Sequence, residues 1–203
     1  MKKTYFITGI GTDVGKTIVS AIVTEALEAD YWKPVQAGDL DHCDTYKVKK
    51  WVSNSKSVFH SNAYALTTPM SPHAAAKIDG IEIELKAIKT PKTNNHLVIE
   101  GAGGLMVPLN QGHTVLDMIK PGYKVIVVSR HYLGSINHTL LTVNTLKDKG
   151  FKVALIFSGN EHASTEEIIK KMTGIPVIGR IEEEPYFDHN VIKEYAERFK
   201  TSL

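Results

Sequence analysis

A lysine and a threonine, Lys16 and Thr17, follow Gly15 at the end of TYFITGIGTDVGKT, residues 4–17. Those residue types in that order suit a polyphosphate. Glycines let backbone N–H groups approach phosphate oxygens, the lysine reaches the β- and γ-phosphates, and the threonine hydroxyl ligates Mg2+. The regular spacing, G-x-x-x-x-G-K-[ST], puts its first glycine at position 10, where this chain has Ile10 flanked by Gly9 and Gly11. Five residues therefore separate Gly9 from Gly15, which lengthens the loop without removing its working parts. The competing account is a tight βα turn whose Lys-Thr pair is simply solvated. A GKT set directly after a glycine-rich strand end favours the phosphate loop, with Asp13, Val14, Gly15, Lys16, Thr17 and Ile18 as its ATP-contacting stretch.

Other residues become informative only in company. HLVIEG, residues 96–101, ends an apolar run in Glu100, where a Mg2+-directing carboxylate beside the loop is expected; alone it reads equally well as a solvated strand end. Gly101, Ala102 and Gly103 then supply small residues for close backbone approach to the nucleotide. Lys33 precedes Pro34, whose fixed φ stiffens the backbone, although most lysines are solvated. His42-Cys43-Asp44 has no further Cys or His cluster to complete a transition-metal site and reads as a loop entering a helix.

The elements that must position these groups alternate along the chain. Apolar runs at 5–8, 31–35 (interrupted by Pro34), 96–101, 124–129, 152–158 and 175–181 read as strands. Helical spacing follows Lys16 (Ile18, Ile22, Val23, Leu27) and covers 45–52, 134–149 and 191–199. Val- and Ile-rich runs without polar alternation indicate strands covered on both faces. The expected fold is therefore α/β: one doubly wound domain over residues 1–203, with a mostly parallel sheet flanked by helices, of the P-loop NTPase type.

Composition narrows the partners. The 203 residues carry 24 basic against 22 acidic side chains, which gives no electrostatic reason to expect nucleic acid or a membrane surface. A single cysteine, Cys43, cannot form an intramolecular disulfide and fits a reducing cytoplasm. The short run in MKKTYFITG is too brief for a signal peptide, and no stretch approaches a membrane span.

Five segments together resemble the dethiobiotin synthetase family: TGIGTDVGKT, WKPVQAG at 32–38, TPMSPHAAA at 68–76, VIEGAGGLMVPL at 98–109 and LGSINHTLLT at 133–142. The resemblance implies an ATP-dependent cyclo-ligase that joins CO2 to 7,8-diaminononanoate and closes a cyclic urea. It implies that Lys16 and Lys33 are catalytic cations, and that Asp44 joins Thr17 and Glu100 around Mg2+. Substrate contacts are implied for Thr12, Lys33, Ala37 (through its backbone only), Ser71 and Asn137. Asn160 is the implied adenine contact, with residues 182–185 (EEEP) beside the base. A homodimer is implied, in which the helix begun by Asn137 and His138 reaches the partner's substrate.

Two alternatives compete, the second from a different class. Another P-loop kinase or amide-forming synthetase leaves the KPV and SPH segments without purpose. A nucleotide-switch ATPase usually carries an additional lysine at the loop's start, where this chain has Gly11.

Overall fold

The computed structural model describes residues 2–203. Strand β1 (Thr4–Gly9) is buried from its second residue onward and leads through the glycine loop into helix α1 (Lys16–Leu27). Strand β2 (Asp30–Trp32) is followed by β3 (Val35–Ala37), helix α2 (Asp44–Trp51), short strands β4 (Phe59–His60) and β5 (Tyr64–Leu66), and helix α3 (Pro72–Ile78). Then come β6 (Leu97–Gly104), β7 (Lys124–Arg130), α4 (Ser135–Asp148), β8 (Lys152–Ser158), α5 (Ala163–Thr173), β9 (Val177–Ile181) and α6 (His189–Phe199).

Among the described residues, seven strands form one parallel sheet in the order β4-β2-β6-β1-β7-β8-β9. The apolar runs explain this: Phe6, Ile7, Val98, Ile99, Val125 to Val128, Leu155 and Ile156 are buried because helices cover both faces. Helix α1 packs against β6 and β1 and is itself covered by α2 and α6. Its buried set, Val19, Ala21, Ile22, Val23 and Ala26, is therefore broader than one amphipathic stripe. No helix among the described residues is long and apolar enough to cross a membrane.

The structure corrects the expected strand at 31–35. Proline has no N–H to donate to a ladder, and the chain breaks at Lys33-Pro34: β2 lies in the main sheet, whereas β3 pairs with β5 in a separate two-stranded sheet. The Pro34 carbonyl instead accepts from the N–H groups of Ala63 and Tyr64, and Asn62 Nδ2 donates to the Lys33 carbonyl at 2.7 Å. The SPH turn proves to be the start of α3, with Pro72 in its first turn. Strands β4 and β5 and helix α5 were not expected from the sequence. The two strands are too short to show a period, and α5 carries few apolar residues to mark one.

Candidate active site

The carboxyl ends of β1 and β6, with the segment leaving β2, open into a cleft of about 830 Å³. In open parallel sheets ligands lie beyond these ends, where the strand order reverses. Here that point is β1, and the phosphate loop emerges from it.

The loop is shaped by its glycines. Gly15 has φ +94°, and a Cβ there would come within 3.0 Å of Ser158 Oγ; a Cβ on Gly9 would lie 2.5 Å from Val14 Cγ2. Asp13 takes up the added length in a left-handed conformation, φ +55°. No side chain caps α1 and its first turn holds no carboxylate, so the positive end of the helix faces the cleft uncompensated. Lys16 lies in that first turn, 7 % exposed, and donates to the Gly11 carbonyl at 2.9 Å. Burial drives its pKa down to about 8; the nearby Lys33 adds to this, while Glu100 opposes it. A buried cation at the positive end of a helix, with one neutral partner, leaves positive charge uncompensated toward the cleft.

The opposite wall is already paired. Lys33, 5 % exposed, donates to Glu100 Oε1 at 3.0 Å and to Asp44 Oδ2. Burial acts to lower its pKa, but the two carboxylates outweigh it and hold the ammonium above its ordinary value. Burial likewise works to raise the Asp44 pKa, yet Lys33, and after it Lys47, keep that carboxyl below the usual range. Glu100 accepts two further hydrogen bonds, from Thr17 Oγ1 at 3.0 Å and Tyr31 OH at 2.8 Å. Burial and then Glu100 push the Tyr31 phenol well up, so it stays a donor. Strand register makes this arrangement: Tyr31 and Trp32 pair with Val98 and Ile99, which sets Lys33 beside Glu100.

Most of the sequence-predicted residues meet in this cleft. Thr12, Asp13, Gly15, Lys16, Thr17 and Ile18 line it from the loop; Lys33, Ala37, Asp44 and Ser71 from the β2–α3 side; Glu100, Ala102 and Gly103 from β6. Val14 and Gly101 are buried behind the surface: Val14 packs on Gly9, and Gly101 against Phe6 and Val115. Asn137, on the first turn of α4, and Asn160, after β8, are exposed and outside the cleft of a single chain. Ser71 Oγ and His73 Nδ1 lie 3.1 Å apart at the start of α3.

Sequence reasoning missed four participants. Tyr31 stands two residues before Lys33, on the same strand face, which was a usable signal. Gln36 is 5 % exposed; it accepts from the Asp44 N–H at 3.4 Å and donates to the Gly38 carbonyl, fixing the entry to α2. Lys47 lies 2.8 Å from Asp39 and 3.7 Å from Asp44. Arg130 reaches the cleft from the end of β7.

Thr17, Asp44 and Glu100 offer hard oxygen donors from few side chains, the set Mg2+ takes when phosphates and water complete its shell. Among the described residues no group of three or more His, Cys, Asp or Glu assembles for a metal, so these residues fit Mg2+ better than a soft or all-protein site.

A family model described as an AAA domain matches residues 3–190. Among solved structures, the cell division ATPase MinD of Pyrococcus furiosus aligns over 100 % of both chains with TM-score 0.63 and 13 % identity. A putative plasmid partition protein of Borrelia burgdorferi, bound to AMPPNP, covers 100 % of this chain and 99 % of its own with TM-score 0.62 and 16 % identity. At such identities the likeness concerns the fold alone. Sequence relatives are nearer. The ATP-dependent dethiobiotin synthetase BioD of Christiangramia forsetii is 65 % identical, covering 100 % of this chain and 99 % of its own. That of Cytophaga hutchinsonii is 50 % identical over 97 % and 96 %. With identities of 65 % and 50 % over nearly the whole of each chain, the chain belongs to the dethiobiotin synthetase family of ATP-dependent carbon–nitrogen ligases.

Proposed function

We propose that the protein carboxylates 7,8-diaminononanoate with CO2 and uses ATP to close the cyclic urea of dethiobiotin. The observation that carries this reading is the pair of buried lysines in one cleft, one aimed at a phosphate site and one held between carboxylates. One amine of the substrate adds to CO2 and loses a proton, giving a carbamate. A carbamate oxygen attacks the γ-phosphorus, the bond to the β-phosphate oxygen breaks, and ADP leaves. The second amine then attacks the carbonyl of the mixed anhydride, the C–O bond breaks, and phosphate and a proton depart.

Bringing a carbamate to a triphosphate brings anions together, so fixed positive charge must offset the repulsion. Lys16 and the α1 N-terminus do so for the phosphates. Lys33, kept charged by Glu100 and Asp44, does so for the carbamate and is an electrostatic group rather than a base. Thr17, Asp44 and Glu100 would hold Mg2+, which when bound neutralises charge on the β- and γ-phosphates.

A homodimer suits the surface beside the cleft. A neighbouring pocket of about 420 Å³, which includes Met106, His138 and Leu141, shares Thr12 and Val107 with the cleft. Met106, Leu133 and Leu141 are exposed there, near the first turn of α4. A second copy on this face would cover them and bring Asn137 toward the diamine's carboxylate tail. Phosphate release from MgATP is expected to require both the diamine and dissolved CO2. Equal turnover of ATP without the diamine would sink the proposal.

A further inference from the structure

The phosphate loop divides the carboxyl edge of the sheet into two sides. On the β6–β2 side stand Lys33, Asp44 and Glu100. On the other, Arg130 at the end of β7 pairs in register with Ser158 of β8, and Ser158 with Ile181 of β9. Arg130 lines the same cleft as Gly15 and Lys16, and its Nη2 donates to Glu183 Oε1 at 2.5 Å. The other carboxylates here have partners of their own. Arg180 holds Glu182 at 3.2 Å and Glu161 at 3.1 Å, and Tyr195 OH donates to Glu184 at 2.6 Å.

We propose that Arg130, held by Glu183, seats the nucleoside of ATP, its guanidinium plane packed against the base. The inference rests on the reading of the cleft as an ATP site. A triphosphate over Lys16 and the N-terminus of α1 leaves its nucleoside two directions. The β6–β2 side is filled by the Lys33 cluster and by the space the diamine takes; the remaining path runs past Ser158 and Arg130. Glu161, Glu182, Glu183 and Glu184 repel phosphate along that path, so the uncharged end of the nucleotide belongs there. A guanidinium is planar, weakly hydrated and stacks on aromatic faces, and an ion pair to Glu183 fixes its plane. As a folding contact the pair is worth little, since both side chains are near half exposed. Its position in the cleft is what gives it a role.

Calorimetric binding of MgATP and of inorganic triphosphate to the full chain tests this, with steady-state kinetics alongside. Arg130→Ala is expected to weaken ATP about tenfold. It should raise KM for ATP with a much smaller change in kcat, and leave triphosphate affinity and the thermal midpoint as in the wild type. Arg130→Lys, which keeps the charge and loses the plane, should stay weakened for ATP. An equal loss of triphosphate affinity would make Arg130 a phosphate ligand and overturn the proposal. Unchanged ATP affinity in Arg130→Ala, with wild type binding both ligands, overturns the role of Arg130 alone. Wild-type protein that binds neither ligand overturns the ATP-site reading itself.

Discussion

Lys16 and Lys33 are both buried lysines facing one cleft, yet the protein gives them opposite electrostatic surroundings. Among the described residues the Lys16 ammonium has a backbone carbonyl as its only hydrogen-bond partner, and it sits at the positive end of a helix, so burial dominates and its pKa falls to about 8. Lys33 is gripped by two carboxylates that overcome the same burial and raise its pKa. An under-compensated cation is poised to take an incoming anion; a compensated one is poised to hold a fixed position through turnover. Burial alone therefore says little about what a lysine does. The number and charge of its partners decide.

Removing Lys33 should break this contrast most severely. Lys33→Ala is expected to lower product formation about 10²–10³-fold while sparing most ATP affinity. It also leaves two carboxylates without their common cation, at a cost of about 3 kcal/mol in urea unfolding. Near-normal turnover in that variant would remove Lys33 from the chemistry.

Lys16→Met should do the reverse, costing about 10- to 100-fold in ATP affinity through a lost charge-assisted contact. The sign of its proton linkage follows from the lowered pKa. In the free protein Lys16 is half deprotonated near pH 8, and a bound phosphate favours the charged form. Binding at pH 8 should therefore take up about half a proton, and affinity should fall as pH rises further. Titrations in buffers of different ionisation heat would read that uptake, which should vanish in Lys16→Met and at pH 6. Uptake that persists in the variant would assign it to another group. The smallest effect is expected for Tyr31→Phe, which takes one of three donors from Glu100: about 1–2 kcal/mol of stability, with ATP affinity retained. A variant as stable as the wild type would show that Lys33 and Thr17 satisfy Glu100 unaided.

Much of the fold was legible because long apolar runs, such as those of β7 and β8, can only be strands covered on both faces. The loop was legible because Gly15-Lys16-Thr17 is local: its chemistry needs only neighbouring residues. What failed was also local. The strand expected over 31–35 was interrupted at Pro34, but local reading could not show that its two parts join different sheets, and this break is what delivers Lys33 to the edge of the main sheet.

By itself the sequence determined the residue types, the strand–loop–helix order around the phosphate site and the α/β class, since these depend on side-chain chemistry and short-range periodicity. The tertiary structure decided which charges meet. Only the register of β2 on β6 brings Lys33 to Glu100 across 67 positions of chain, and only the order β7-β8-β9 at the carboxyl edge brings Arg130 to Glu183. Sequence distance carries no information about such pairs, because strand order and register fix them, and those are settled by packing of the whole sheet.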